Sequence, residues 1–175
     1  MSGLGKFVWA AIAVAVVTHV AILYAMPRVL MGVAIGRVAQ GRFNVWRPSP
    51  RVTEASRGIV RPAPDLAYSA CAYDLNQGPI EIRVTPWRGY WSLSLYSDNS
   101  DNFFVMDDRE ARAGADISLI RLGATAPEHA PQVVESPSTR GIALIRRLAP
   151  TQNDYNDTKD VAKSDICAAI AKGAN

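Results

Sequence analysis

From Phe7 to Met26 the chain runs for 20 residues without a formal charge, and Thr18 and His19 are its clearly polar side chains. A helix rises about 1.5 Å per residue, so such a stretch spans about 30 Å, the thickness of a bilayer's hydrocarbon core. A helix buried in a soluble core is ordinarily shorter and apolar on one side only. The stretch therefore reads as a membrane-spanning anchor. Lys6 ahead of it also fits a cleaved signal peptide. That reading asks for an apolar core of about 7–15 residues and a small-x-small cleavage site, which Leu23-Tyr24-Ala25 matches poorly. Within and just after the run, Ala11/Ala15, Ala21/Ala25 and Gly32/Gly36 share the four-residue spacing that lets membrane helices approach closely.

Charge is segregated along the chain. Arg28, Arg37, Arg42, Arg47, Arg51, Arg57 and Arg61 stand against Glu54 alone, a local balance of +6. From Pro62 onward 11 basic residues face 15 acidic ones, so the remainder is mildly acidic. The overall +3 therefore reflects a basic collar beside the anchor, and no nucleic-acid partner is expected. Arg28, Arg37, Arg42 and Arg47 are candidates for contact with lipid headgroups, each arginine near the surface adding about 1 kcal/mol. The positive-inside tendency favours a cytoplasmic domain. The short tail before the anchor and the two cysteines favour the opposite side, and a periplasmic domain on a single-pass inner-membrane anchor is the expectation.

Beyond Met26 the reading divides the chain into a basic, extended linker over 27–64 and a folded domain over 65–175. The tail before the anchor is 1–6. Pro27 is expected to interrupt the helix, with a second helical piece over Val29–Gln40. Arg47-Pro48-Ser49-Pro50 and Arg61-Pro62-Ala63-Pro64 favour extended backbone. Apolar and polar residues then alternate with a period of two. Ile80, Ile82 and Val84 form one such set, and Trp91, Leu93 and Leu95 another, the two joined across Pro86 to Gly89. Further strands are expected over Leu66–Asp74, Asn102–Met106, Asp116–Leu122, Gln132–Glu135 and Gly141–Arg147. Ala162, Ile166, Ala169 and Ile170 recur at helical spacing, predicting a helix over about 160–172. The fold class is mainly β: a single transmembrane helix, then a small antiparallel β-sandwich or barrel with a C-terminal α-helix.

Several short motifs run through Arg61–Glu110: Arg61-Pro62-x-Pro64-Asp65-Leu66-x-Tyr68-Ser69, Asp74-Leu75-x-x-Gly78-Pro79, Gly89-Tyr90-Trp91-Ser92-Leu93-x-Leu95-Tyr96 and Asp101-Asn102-Phe103. On these residues the chain resembles a bacterial family known as domain-of-unknown-function family 1254, and more weakly through Ser136-Pro137-x-x-Arg140-Gly141. The resemblance is to the short, membrane-anchored members, whose companion β-rich domain is expected on a separate small protein. It implies a β-rich fold and an envelope setting. It implies no activity and supplies no catalytic residues.

Cys71 and Cys167 lie too far apart for a CxxC motif and have too few neighbouring ligands for a metal site. A disulfide between them would fasten the expected C-terminal helix to the sheet, and two buried free thiols are the alternative. Asp98–Asn102 and Asn153–Asp157 are dense in oxygen ligands but lack the calcium-loop pattern, so they read as turns. No nucleophile elbow, phosphate loop or dinucleotide fingerprint is present, and no cofactor or metal is expected. Arg61, Asp65, Tyr68, Tyr90 and Tyr96 make a candidate interaction surface, tyrosine being enriched at interfaces. The leading expectation is a non-enzymatic accessory or structural subunit, or an interaction module, of an envelope membrane complex. Its partners would be membrane lipids and a second membrane protein. A periplasmic ligand-binding domain is the alternative. An envelope hydrolase using Asp65, His129 or the Asp98/Asp101 pair is the third.

Overall fold

A computed structural model describes residues 3–56, 61–128 and 130–170. The helix α1 (Gly3–Ala39) leads into a two-sheet sandwich. Its strands are β1 (Arg47–Pro48), β2 (Leu66–Asp74), β3 (Ile80–Val84), β4 (Trp91–Ser97), β5 (Asn102–Asp107), β6 (Ala115–Arg121), β7 (Val133–Ser136), β8 (Arg140–Leu148) and β9 (Ile166–Ala169), with α2 (Gln152–Ala162) before the last. The first sheet has the order β1-β2-β8-β4-β5 and the second β7-β6-β3-β9.

Alternation builds the core. Cys71 and Tyr73 of β2, Leu93 and Leu95 of β4, and Ala143 and Ile145 of β8 face Ile80, Ile82 and Val84 of β3 and Ile117 and Leu119 of β6, all of them buried. Such a layer removes apolar surface from water at about 25 cal/mol per Å². Two glycines are required by close approach. A Cβ at Gly141 would collide with the Tyr96 carbonyl and the Tyr73 hydroxyl, and one at Gly114 (φ +95°) with the Val84 carbonyl.

Two covalent or ionic ties cross between the sheets. Cys71 of β2 is disulfide-bonded to Cys167 of β9, 96 positions later. Arg147 of β8 donates from both terminal nitrogens to Asp165, at 2.8 Å each, and its Nη2 also donates to the Thr85 carbonyl at 2.9 Å. The Thr85 amide donates to Asp165 in turn, at 2.9 Å. Both side chains are out of solvent, with 2% and 0% exposed. A buried charge pair of this kind holds only because the fork geometry and extra hydrogen bonds offset desolvation.

The strand ranges read from alternation agree with the observed ones to within about a residue or two at each end. Five expectations are corrected. Pro27 does not end the helix: α1 runs through it to Ala39, so 27–39 is helix and not linker. The helix expected over 160–172 is displaced. α2 spans Gln152–Ala162, and Ile166–Ala169 form β9, paired antiparallel with β3. Cys167 therefore ties one sheet to the other, not a helix to a sheet. Asn153–Asp157 is not a turn but the start of α2, where Thr151 caps the helix: its hydroxyl accepts from the Asp154 amide at 3.1 Å while Asp154 accepts from the Thr151 amide at 3.2 Å. The sandwich is also not wholly antiparallel, since β6 and β7 run parallel. Finally, β3 and β4 lie in different sheets, so Pro86–Gly89 crosses the sandwich without closing a hairpin.

Candidate functional site

The sheet β1-β2-β8-β4-β5 has an outward face built in rows by its register. Ala72, Ile142 and Tyr96 form one row, Ala70, Leu144, Ser94 and Val105 the next, and Tyr68, Arg146, Ser92 and Asp107 the third. Beyond them, the Leu148 amide donates to the Tyr90 carbonyl at 2.9 Å. The last turns of α1 cover only the first row: Met31, Ile35 and Ala39 pack on Ala72 and Ile142, with Tyr96 and Ala70 at the margin. The remaining rows are left partly open: Val105, Tyr90 and Leu148 are at 54%, 42% and 37% exposure, while Ser92 and Ser94 between them are buried.

Arg146 sits in the middle of this face. Its guanidinium donates to the Ser94 hydroxyl and to the Tyr96 phenol, each at 3.0 Å. Partial burial would push the Tyr96 phenol up, but the hydrogen bond and charge of Arg146, helped by Ser94 and Asn102, outweigh it and hold the phenol below the ordinary tyrosine range. Tyr73, on the inward face, goes the other way. Burial raises it despite hydrogen bonds from Ser136 and Ser138. Sequence reasoning passed over Arg146. The signal was the Arg146-Arg147 doublet at the end of a strand, where period two sends one guanidinium inward and the other outward.

The structure gathers three of the five candidate interaction residues, Tyr68, Tyr90 and Tyr96, on this face. Arg61 and Asp65 lie exposed just before β2, where the Asp65 carbonyl accepts from the Ala149 amide at 2.7 Å. The Tyr68 hydroxyl accepts from the Ala63 amide at 2.9 Å. Asp65 and the Asp98/Asp101 pair fall at opposite ends of the strands, roughly 20 Å apart, and so do not meet on one substrate. His129 lies outside the described residues. An open cleft of about 460 Å³ lies where β4 begins, lined among others by Arg88, Tyr90, Asp108, Arg109 and Arg112. Arg88 there is also paired with Asp154 and Asp157 of α2.

The helix junction is closely made. Proline at 27 withholds an amide from the Leu23 carbonyl, and the helix nonetheless continues through it. Arg28 donates to the Tyr24 carbonyl at 2.8 Å with its guanidinium over the Tyr24 ring at 3.7 Å, and the Ser100 hydroxyl donates to the Pro27 carbonyl at 3.1 Å. At the far end, Arg47 donates to the Ala39 carbonyl at 2.9 Å, closing α1 where Gln40 and Gly41 take positive φ. Asn44 then clamps the chain to β2, exchanging two hydrogen bonds with the Asp74 backbone at 2.8 and 3.1 Å. Arg37 and Arg42 are exposed, as are Ala11, Ala15, Ala21 and Ala25. Gly32 and Gly36 have open space where a Cβ would stand, to one side of the stripe that packs on the sheet.

A β-sandwich held on a helix long and apolar enough to cross a membrane, with a tyrosine-bearing sheet face left partly open, is the class that this fold and surface define. The chain belongs to the DUF1254 family, described as proteins of unknown function, whose model matches residues 41–167. The sandwich is similar to the VPA0106 protein from Vibrio parahaemolyticus, with a TM-score of 0.65 and 14% identity, covering 83% of this chain and 36% of that one. An uncharacterized protein from Burkholderia cenocepacia aligns with a TM-score of 0.45 and 13% identity, over 88% of this chain and 43% of that one. The chain thus spans less than half the length of either solved structure. No curated protein matches it.

Proposed function

We propose that this protein is a non-enzymatic, single-pass inner-membrane protein whose periplasmic sandwich serves as an accessory subunit or interaction module of an envelope complex. The observation that carries the reading is the division of α1. Its residues from Phe7 to Met26 are exposed throughout, while its last turns are part of the domain's own packing. A helix continuous through both holds the open tyrosine face at a fixed attitude to the bilayer. The Cys71–Cys167 bond supports an oxidising compartment, against the charge rule. Tyr68, Tyr90, Tyr96 and Arg146 supply the aromatic and arginine side chains that dominate interface energetics.

The test is to extract the tagged full chain from its native membrane in mild detergent. A stoichiometric companion that is lost with Tyr90→Ala and Arg146→Glu, while the variants keep their melting temperature, supports the module. A chain that comes out alone and monomeric sinks it. The cleft at Arg88, Tyr90, Arg109 and Arg112 favours a second reading, ligand binding, since its volume lies within the range of small-molecule sites. Saturable binding of a small anion lost in Arg112→Ala would put that reading first.

A further inference from the structure

Four strands stand at the edges of the two sheets: β1 and β5 of one, β7 and β9 of the other. An edge leaves amides and carbonyls unpaired, so edges are ordinarily kept short or carry proline and charge. β1 is no more than Arg47–Pro48. β7 has four residues with Glu135 among them, and β9 has four, with the Trp46 indole bonded to its first carbonyl at 2.7 Å. β5 is the exception. It runs for six residues, and Phe103-Phe104-Val105-Met106 is apolar without a break. The Asp108 amide donates to the Trp91 carbonyl, which sets the ladder so that Val105 turns its own amide and carbonyl away from β4. The Val105 side chain is exposed as well. The carboxylates bounding the stretch are engaged locally, Asp101 by the Asn99 side-chain amide and Asp107 by the backbone amides of Arg109 and Glu110.

The course of α1 says what this edge faces. Met31, Ile35 and Ala39 lie along the row Tyr96, Ile142, Ala72, so the helix crosses the strands from β4 towards β2. Both ends of the crossing are tied: Pro27 to Ser100 in the β4–β5 turn, and Ala39 to Arg47 of β1. The strands are therefore stacked along the helix axis, with β5 nearest the apolar run Phe7–Met26 and β1 about 19 Å further from it. The helix itself rises about 18 Å between Pro27 and Ala39, in agreement. β5 is thus level with the first turn after Met26. Another strand added outside it would stand about 4.8 Å nearer the anchor's apolar run, in the hydrocarbon. A second copy of the chain fits no better. Pairing β5 with its equivalent puts a two-fold axis normal to the sheet. Because α1 lies flat on the sheet, that axis turns the second anchor end for end, and the two could not enter one bilayer from one side.

We infer that the free edge of β5 is covered by the bilayer surface itself. This rests on the membrane-anchor reading above. Val105 enters the apolar margin of the headgroup layer, its amide donates to lipid ester or phosphate oxygens, and its carbonyl accepts from interfacial water. An edge strand is tolerated at that depth and not deeper, because the hydrocarbon offers its backbone no partner. The contact selects no particular headgroup. It lays the sandwich against the membrane along one strand, so that the domain is held at two places, by α1 and by β5.

The full chain in phosphatidylcholine nanodiscs tests this with single nitroxides. The native cysteines are bonded to each other, so each introduced cysteine gives one labelling site. Val105→Cys and Asn102→Cys lie on β5, Val16→Cys lies in the anchor, and Asn156→Cys lies on α2, whose Tyr155 bonds the Ser49 carbonyl next to β1. Two positions on the edge keep the test open if one substitution unfolds the domain. Nickel chelated on a lipid headgroup should relax the labels at 105 and 102 severalfold more than the label at 156, and nickel chelated in the water should do the reverse. If 16 is shielded from aqueous nickel but 105, 102 and 156 respond alike to both chelates, the placement of β5 is overturned and the anchor reading stands. If 16 meets aqueous nickel freely, the anchor reading fails and the inference with it. A single short dipolar distance between labels at 105, in discs holding two copies, puts a second copy on the edge and overturns the lipid contact.

Discussion

The two sheets present opposite outer faces. On the β7-β6-β3-β9 sheet, Glu81, Arg83 and Asp116 form an exposed ion-paired patch, with Arg83 reaching both carboxylates. On the other sheet the equivalent positions are Tyr68, Ser92, Ser94, Leu144, Arg146 and the row beneath α1. Both sheets alternate with the same period, so secondary structure does not distinguish them. The side chains left over after the core is filled do. A face made for water carries charges of both signs in mutual reach. A face that packs a helix and leaves tyrosines open carries small and aromatic residues, which permit close approach at low entropic cost.

That contrast can be broken most severely by separating the sheets. Asp165→Ala leaves the Arg147 guanidinium buried and unpaired, and the domain should lose about 3–5 kcal/mol, read in chemical denaturation of the solubilised chain. Cys167→Ser should cost about 2–4 kcal/mol, and reductant should reproduce that loss in the native chain without adding to it in the variant. Ile35→Ala, beneath the helix on the packed row, should cost about 2 kcal/mol and raise hydrogen exchange at Ala72 and Ile142. On the opposite face Arg83→Ala should stay within about 0.5 kcal/mol, because exposed pairs are screened by solvent. A large loss there would mean that the charged face is not simply solvated.

The finest probe is the phenol beside Arg146. In an ultraviolet titration Tyr96 should ionise below the ordinary tyrosine range and Tyr73 above it, with Arg146→Ala abolishing the early step. The signs differ. Tyr96 is lowered on folding, so its ionised form adds its full stability above the unfolded tyrosine range of about 10, and that is lost as pH falls through the lowered value. Tyr73 is raised, so its contribution is complete below that range and is lost as pH climbs through the raised value.

Much of the sandwich was legible because alternation is a local signal. Ile80-Glu81-Ile82-Arg83-Val84 announces a half-buried strand with no knowledge of its neighbours. The placement of strands in sheets was not, since nothing within Pro86–Gly89 says that the chain changes layer. β9 was lost for a different reason. Ala162, Ile166 and Ala169 imitate helical spacing while belonging to two elements, and a four-residue strand is too short to show its own period. The start of α2 was readable in Thr151-x-x-Asp154, but the polar run behind it favours turns until Tyr155, Thr158 and Ala162 are buried by tertiary packing. Of the candidate site, the outward tyrosines followed from alternation. Arg146 did not, because only register places it beside Ser94 and Tyr96.

β9 also sets an order of events. Cys167 bonds a residue 96 positions earlier, Asp165 holds Arg147, and the Ile166 carbonyl accepts from the Trp46 indole, 120 positions before it. Each of these links waits for the same short segment to emerge. A chain being synthesised can pair β8 with β2 and β4 earlier, but the second sheet lacks its edge and the two layers lack their ties until residue 167 is free to fold back. Non-local closure of this kind makes the final step slow relative to hairpin formation. While it waits, Ile80 and Ile82 of β3 present an unpaired edge, and protection of that edge falls to whatever attends the chain before β9 arrives.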